Sequence, residues 1–281
     1  MSRLQILLPL LMLSLLLRRS FSSSSLPQPP RLRLILVRHG ESQNNVLNLV
    51  SKQHYRENRF ADPALTDLGE RQAAATGEYL ASPGCHPLLS GVTTVAVSPF
   101  LRTLQTSKPI VAALRGRSPS LPVELWPDIY EISGCYDGLP GSETSNPGLT
   151  GAEIAERFSY PPPASLPPSS GWYTHPGRES YAEGVSRIGA VADRLRLRAA
   201  DLCAAGESET LCLVVHGDFI DVLLNQLLHM QKDPRKARFR TYNTSISAVD
   251  VFGDGMAACL FSNFHEHLKG EMCKREQLGV V

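Results

Sequence analysis

Three short apolar runs end in residues able to do polar chemistry. Leu32–Val37 runs into Arg38-His39-Gly40, Val92–Val97 into Ser98-Pro99 with Arg102 just beyond, and Leu211–Val215 into His216-Gly217. If the runs are neighbouring strands, two imidazoles and two guanidiniums meet on one rim, because ligands of open α/β sheets bind beyond the carboxyl ends of the strands. Such a rim is cationic within a chain whose formal net charge is only +1. It suits a phosphoryl or carboxylate ligand. A single histidine at a strand end has many structural uses, but two at separate strand ends, each followed by Gly, form a pattern. Gly40 and Gly217 are expected to let backbone come close to a ligand. Arg102, followed by Thr103 and Thr106 at a helix start, is either a surface ion-pair residue or aims into the rim beside backbone N–H groups.

Rival chemistries lack their residues. There is no GxxxxGK[ST] loop and no HExxH pair, so P-loop and zincin sites lose their signatures. Gly40-Glu41-Ser42-Gln43-Asn44 lacks the second glycine of a serine-hydrolase elbow. The six cysteines form no CxxC and read as free thiols, mostly buried. Metal ligation by His39 and His216 is disfavoured by the arginines beside them, which repel a cation. What remains is a histidine nucleophile with arginines around a phosphoryl group, needing neither metal nor cofactor.

The elements that must position these residues follow from the pattern. Near-continuous apolar runs are what strands buried on both faces look like. Between them lie helical stretches: one capped by Thr66 and running through Ala75 and Leu80, then Leu101–Leu114, Glu179–Ala205 and Asp218–Met230. A strand is expected near Val123–Trp126. Ile246–Phe252 and Ala257–Phe261 add strands, joined by a hairpin around Gly253-Asp254-Gly255. The alternation predicts a three-layer α/β/α sandwich on a mostly parallel central sheet. Ser133–Arg178 breaks the pattern, with Pro161-Pro162-Pro163 and Pro167-Pro168. It reads as an excursion over the site with one short helix near Glu153–Phe158. Its Trp172 and Tyr173, and Tyr136, are expected to pack this excursion on the core, with pocket lining as the alternative. One catalytic domain over 32–264 is expected, followed by a tail at 265–281.

Composition sets outer limits. Hydrophobic residues are 42% and charged residues 20% of the 281, which rules out a wholly disordered chain. The charge balance gives no reason to expect nucleic acid as a partner, and the sequence carries no signal for an oligomeric state. Before Glu41 there is no acidic residue. The apolar run Ile6–Leu17 is too short for a stable membrane span. An acid-poor start containing Arg and Ser reads as a mitochondrial presequence over 1–21, cut after Phe21, with a plastid or the secretory pathway as alternatives. Loss of Arg3, Arg18 and Arg19 would turn the charge of +1 into −2, which disfavours acidic protein substrates. Residues 22–31 then form a polar lead-in.

The motifs resemble a family. Arg38-His39-Gly40-Glu41-Ser42, with Asn45 three further on, resembles the RHG signature of the histidine phosphatase superfamily, which includes phosphoglycerate mutases. Leu65-Thr66-Asp67-Leu68-Gly69-Glu70-Arg71-Gln72-Ala73 resembles its LTxxGxxQA helix start, and Ser98 to Thr106 its SPxxRxxQT element. Val215-His216-Gly217 resembles its second-histidine motif. The resemblance implies a phosphoglycerate mutase-like fold in which His39 is phosphorylated and Arg38, Arg102 and His216 bind the phosphoryl oxygens, His216 as imidazolium. The other nitrogen of His39 must then be held as a donor, by a backbone carbonyl. Ser42, Asn45, Gly217 and Asn243 complete the expected substrate contacts. The family's acid is a Glu after the next strand. Glu131 fits, with Asp128 as runner-up and Glu124 behind it, and the downstream glycine pattern matches at Gly134 and Gly138. The ERHYG segment of the cofactor-dependent mutases is absent; the sequence here is EISGCYDG.

The expected function is therefore hydrolysis of a small phosphorylated metabolite through a phosphohistidine. The alternatives are a mutase-type phosphoryl transferase and an inactive relative that binds phosphate esters or protein. The completeness of the set argues against the last. Asn243-Thr244-Ser245 is also a glycosylation sequon, which matters only on a secretory route.

Overall fold

The computed structural model describes residues 31–230 and 238–270. The presequence, the lead-in before Arg31 and Cys273 lie outside the described residues. Strand β1 (Arg31–Arg38) is followed by helices α1 (Gln43–Val50), α2 (Lys52–Asn58) and α3 (Asp67–Ala81). Then come β2 (Thr94–Val97), α4 (Leu101–Arg115) and β3 (Val123–Leu125). The excursion contains a two-stranded ribbon, β4 (Tyr136–Asp137) and β5 (Thr144–Ser145), and helix α5 (Gly151–Phe158). Helix α6 (Tyr181–Ala205), β6 (Glu209–Val215) and α7 (Gly217–Leu227) return to the core, and β7 (Ile246–Phe252) and β8 (Ala257–Phe264) close it.

The central sheet has the order β3-β2-β6-β1-β7-β8. Pairings β1–β6, β2–β6 and β2–β3 are parallel, while β7 runs antiparallel to both neighbours. The sheet is therefore mixed but mostly parallel, as expected. Burial on both faces explains the near-continuous apolar strands. Ile35, Val37, Val95, Val97, Cys212 and Val214 face one core layer with α4 and the excursion; Leu34, Leu36, Ala96, Leu213 and Val215 face the other with α6 and α7. Alternation along each strand assigns adjacent residues to opposite layers.

The helices obey their sequence signals. Thr66 caps α3 by accepting from Gly69 N at 3.1 Å, and Ser180 and Thr150 form capping boxes with Glu183 and Glu153 at the starts of α6 and α5. Helices α1 and α2 are additions to the sequence expectation. Neither has a buried residue, so no apolar stripe announced them. Helix α7 ends at Leu227 rather than Met230, and β2 starts at Thr94 rather than Val92. The excursion is built into the molecule: Tyr160, Trp172 and Tyr173 are buried, and Trp172 meets Phe100 edge-on at 4.7 Å. Packing is thus the role of Trp172 and Tyr173, while Tyr136 packs and also lines a cleft. Of the five described cysteines, all free, only Cys135 and Cys212 are buried, fewer than expected. Among the described residues no helix is long and apolar enough to cross a membrane.

Candidate active site

The carboxyl ends of β1, β2 and β6 lie side by side, so Arg38, Ser98 and His216 converge as the topology requires. The loop after β1 is held by backbone-level fits. Gly40 lies against Gly69 of α3: a Cβ on Gly40 would be 2.5 Å from the Gly69 carbonyl oxygen, and one on Gly69 would be 2.0 Å from that of Glu41. Both positions therefore exclude any side chain. Gly40 N donates to Thr106 Oγ1 at 3.0 Å and Glu41 N to Gln72 Oε1 at 2.8 Å. Leu65 N donates to Gln105 Oε1 at 2.8 Å, and Thr66 Oγ1 to Glu41 Oε1 at 2.8 Å. The helix motifs with Gly69, Gln72, Gln105 and Thr106 thus clamp the His39 loop. This corrects the expectation that Gly40 lets backbone approach a ligand; its neighbour is the backbone of α3. Gly217 likewise meets Arg38, whose Nε would stand 3.3 Å from an added Cβ.

His39 is buried, and its Nδ1 lies 2.7 Å from the Gly40 carbonyl. A carbonyl only accepts, so Nδ1 carries the proton and Nε2 the lone pair. Burial, then Arg102 and Arg38, hold the ring well below the usual histidine pKa. The ring is therefore neutral and nucleophilic at neutral pH. The carbonyl acceptor foreseen for His39 is its own neighbour, Gly40.

His216 caps α7 and is fully buried, its ring centroid 5.4 Å from that of His39. Nε2 pairs with Ser98 Oγ at 2.8 Å, and Nδ1 is buried without a protein partner. Burial and the nearby Arg102 push its pKa well down too. Both effects work against the imidazolium expected of His216 in contact with a phosphoryl group. Arg102 is buried beneath Phe100, its guanidinium carbon 4.0 Å from the ring centroid. Thr103 and Thr106 turn their hydroxyls to backbone carbonyls of Ser98, Phe100 and Arg102. Arg38 donates through Nη1 to the Thr241 carbonyl at 2.5 Å.

Glu131 reaches the site from the loop after β3. Its carboxylate accepts from Ile132 N at 2.9 Å and from Asp218 N and Phe219 N, at 3.2 and 3.0 Å, at the amino end of α7. Those donors and Arg102 favour the anion, but burial, followed by the Asp218 charge, outweighs them and raises the pKa from 4.5 to about 7. The turn that aims Glu131 is tight. Ser133 and Gly134 both have positive φ, and a Cβ on Gly134 would be 2.1 Å from the Tyr173 hydroxyl oxygen. The loop is fastened by Arg187, which donates to the carbonyls of Asp128 and Tyr130 and forms a bidentate pair with buried Glu179 at 2.8 Å. The runner-up acids face elsewhere. Asp128 pairs with Arg194 at 2.5 Å, and Glu124 accepts from Trp126 Nε1 at 2.8 Å.

Arg38, His39, Ser42, Asn45, Arg102 and Glu131 line one cleft of about 320 Å³. His216, fully buried beside His39, is not among the lining residues. Ser42 and Asn45 are tied together, Ser42 Oγ donating to Asn45 Oδ1 at 3.0 Å. Gly217 and Asn243 border an adjoining cavity that shares Arg38, Asn45, Glu131 and Asp218. Asn243 is buried, and its Nδ2 donates to the His39 carbonyl at 2.9 Å. It holds the His39 loop, and glycosylation of this sequon would require unfolding. Tyr55, Arg59, Arg178 and Asp218 also line the cleft, and no sequence motif marked them. The Ser98 hydroxyl, which holds His216, has no signal of its own in the sequence beyond the SPxxRxxQT element.

A model of the histidine phosphatase superfamily (branch 1) matches residues 34–263. No curated protein matches the chain in sequence. Among solved structures, the phosphoserine phosphatase of Entamoeba histolytica in complex with 3-phosphoglyceric acid is 21% identical at TM-score 0.51, over 85% of this chain and 100% of that one. The α-ribazole phosphatase of Shigella flexneri is 20% identical at TM-score 0.52, over 82% of this chain and 96% of that one. A phosphoglycerate mutase of Bacillus anthracis is 16% identical at TM-score 0.53, over 85% of this chain and 96% of that one. These likenesses show the phosphoglycerate mutase-like α/β fold.

Proposed function

This chain belongs to the histidine phosphatase superfamily, and from that premise we propose that it hydrolyses a small phosphate monoester through a phosphohistidine on His39. The observation that carries the reading is the pairing of a neutral His39, its proton fixed on Nδ1 by Gly40, with a protonatable Glu131 across a cleft walled by Arg38 and Arg102.

In the first step Nε2 of His39 attacks phosphorus, and the bond from phosphorus to the leaving oxygen breaks. Glu131 gives its proton to that oxygen. Arg38 and Arg102 meet the charge on the equatorial oxygens. Ser98 Oγ holds Nε2 of His216 and leaves Nδ1 without a protein partner. Nδ1–H then serves a phosphoryl oxygen, and the bound dianion favours the imidazolium against the effect of burial. In the second step the Glu131 carboxylate takes a proton from water, the water oxygen attacks phosphorus, and the P–Nε2 bond breaks. The guanidiniums and His216 neutralise charge, the task a metal performs in other phosphatases. Asn243, Gln72 and Thr106 position the His39 loop.

The test is phosphate release by protein starting at Ser22, with EDTA present, across small phosphate esters that include 3-phosphoglycerate. Mutase product is assayed in the same tubes with and without 2,3-bisphosphoglycerate. Release that persists in EDTA and falls to background in His39→Ala is the expected result. Isomerisation without release would move the chain to the mutases, and undiminished turnover in His39→Ala would refute the covalent step.

A further inference from the structure

We propose that Arg59 and Arg178, gathered on Tyr136, form a second anion subsite, so that the substrate is a phosphate monoester whose leaving group carries a carboxylate or a second phosphate. The proposal rests on the phosphatase reading of the cleft and concerns its outer half.

The cleft continues outward into a second cavity of about 380 Å³, and the two share Tyr55, Arg59, Tyr136 and Arg178. The guanidinium carbon of Arg59 lies 3.7 Å from the Tyr136 ring centroid and that of Arg178 5.3 Å. The ring thus collects two cations at the mouth of the site. Arg59 Nη1 donates to the Tyr136 carbonyl, while its Nε is buried with no partner. Arg178 has only long contacts, to Glu143 Oε1 and Ser133 Oγ, both 3.4 Å.

Charge matching gives the subsite its meaning. A phosphoryl dianion is already matched by the inner cations, Arg38, Arg102 and the His216 imidazolium, with Glu131 protonated for the first step. The outer cavity has Arg56, Arg59 and Arg178 against Glu143 alone, so a cationic excess is left over when phosphate is bound. A half-buried guanidinium with an idle N–H is costly unless an anion serves it. The planar guanidinium fork is suited to carboxylate and phosphate alike. Burial raises the Tyr136 hydroxyl above its usual pKa, so it stays a donor at neutral pH. The alternative is that Arg59 and Arg178 only brace β4 through the ring. That role would affect every ester equally.

The experiment compares kcat/KM for three matched esters: n-propyl phosphate, 3-carboxypropyl phosphate and propane-1,3-diyl bisphosphate. The expected result is a preference for an acid-bearing ester over propyl phosphate of roughly tenfold to a hundredfold, the range of a hydrogen bond to a charged group. That ratio should collapse in Arg59→Met and shrink in Arg178→Ala. Whichever acid-bearing ester leads identifies the anion as carboxylate or phosphate. Equal use of the three esters by the wild-type protein overturns the subsite and leaves the phosphatase reading standing. A ratio that survives both substitutions overturns it as well, whatever the absolute rates. If no ester is turned over, the phosphatase reading falls. Titration of the same three esters into the wild-type protein then decides the subsite, equal Kd values refuting it.

Discussion

Replacing Glu131 by Gln removes the one proton that the proposed first step needs, and the size of the effect depends on the leaving group. The rise from the ordinary value of 4.5 to about 7 corresponds to roughly 3 kcal/mol disfavouring the carboxylate. Near neutral pH both forms are populated, as a group that is first acid and then base requires. General acid catalysis is worth about 10²–10⁴-fold when the leaving oxygen is basic. For an alkyl phosphate, Glu131→Gln should lower kcat/KM within that range. For p-nitrophenyl phosphate, whose phenolate leaves without a proton, kcat/KM should change only a few-fold. That parameter covers events only through leaving-group release, so the loss of Glu131 as base in the second step does not enter it. The missing base appears elsewhere: a burst of p-nitrophenol equal to the enzyme, followed by slow turnover. With alkyl esters the wild-type kcat/KM should also fall as pH rises through about 7, because the acid is then ionised, whereas the p-nitrophenyl profile should lack that limb. Stopped-flow and steady-state assays on both esters measure all of this. Equal losses for the two leaving groups, or an alkaline limb common to both, would refute the assignment.

Asp218→Asn removes the carboxylate charge that helps to raise Glu131 and takes from Arg238 its partner at 2.6 Å, leaving it the pair with Asp221 at 3.0 Å. Both changes favour the Glu131 anion, so the alkaline limb for alkyl esters should move to lower pH, by roughly one unit for a close like-charge pair; a limb that stays in place counts against the coupling. Gly69→Ala puts a Cβ 2.0 Å from the Glu41 carbonyl oxygen, an overpacking of backbone on backbone that should cost about 3 kcal/mol. At about 2–4 °C per kcal/mol for a domain of this size, the Tm should fall by roughly 6–12 °C, with kcat/KM falling too because the His39 loop shifts; an unchanged Tm would show that the two segments are not in such contact.

The sheet was legible because burial on both faces leaves a strong mark. Leu32–Val37 is apolar at every position but Arg33, which pairs with Asp250, and Leu211–Val215 at every position, and each became a central strand with two residues added at its ends. Helices α1 and α2 left no such mark, since they lie on the surface and bury no side chain. The excursion was legible as irregular, with Trp172 and Tyr173 expected to pack it on the core, but the depth of its burial was not. Its burial is carried by a few aromatics, Tyr160, Trp172 and Tyr173, which have no periodicity to read.

Within the site, residue types at strand ends were enough to bring Arg38, His39, Arg102 and His216 together, because parallel strands put their carboxyl ends on one side. What each glycine and amide does there was not legible. Gly40 reads equally well as room for a ligand or as room for backbone, and only the 2.5 Å approach to Gly69 decides. Protonation was still further from view. Burial, reinforced by the same arginines that suggest a charged cluster on paper, lowers the pKa of both imidazoles and leaves His39 neutral. That neutrality supplies the nucleophile. An imidazolium at position 39 would have no lone pair to attack with, so the cations that bind the phosphoryl group also keep its attacker deprotonated. Glu131 follows the opposite logic: burial and the Asp218 charge keep its proton on against the pull of Arg102 and three backbone donors. The cleft therefore separates base from acid by environment rather than by residue type, with the positive residues grouped around His39 and the negative one set beside Glu131.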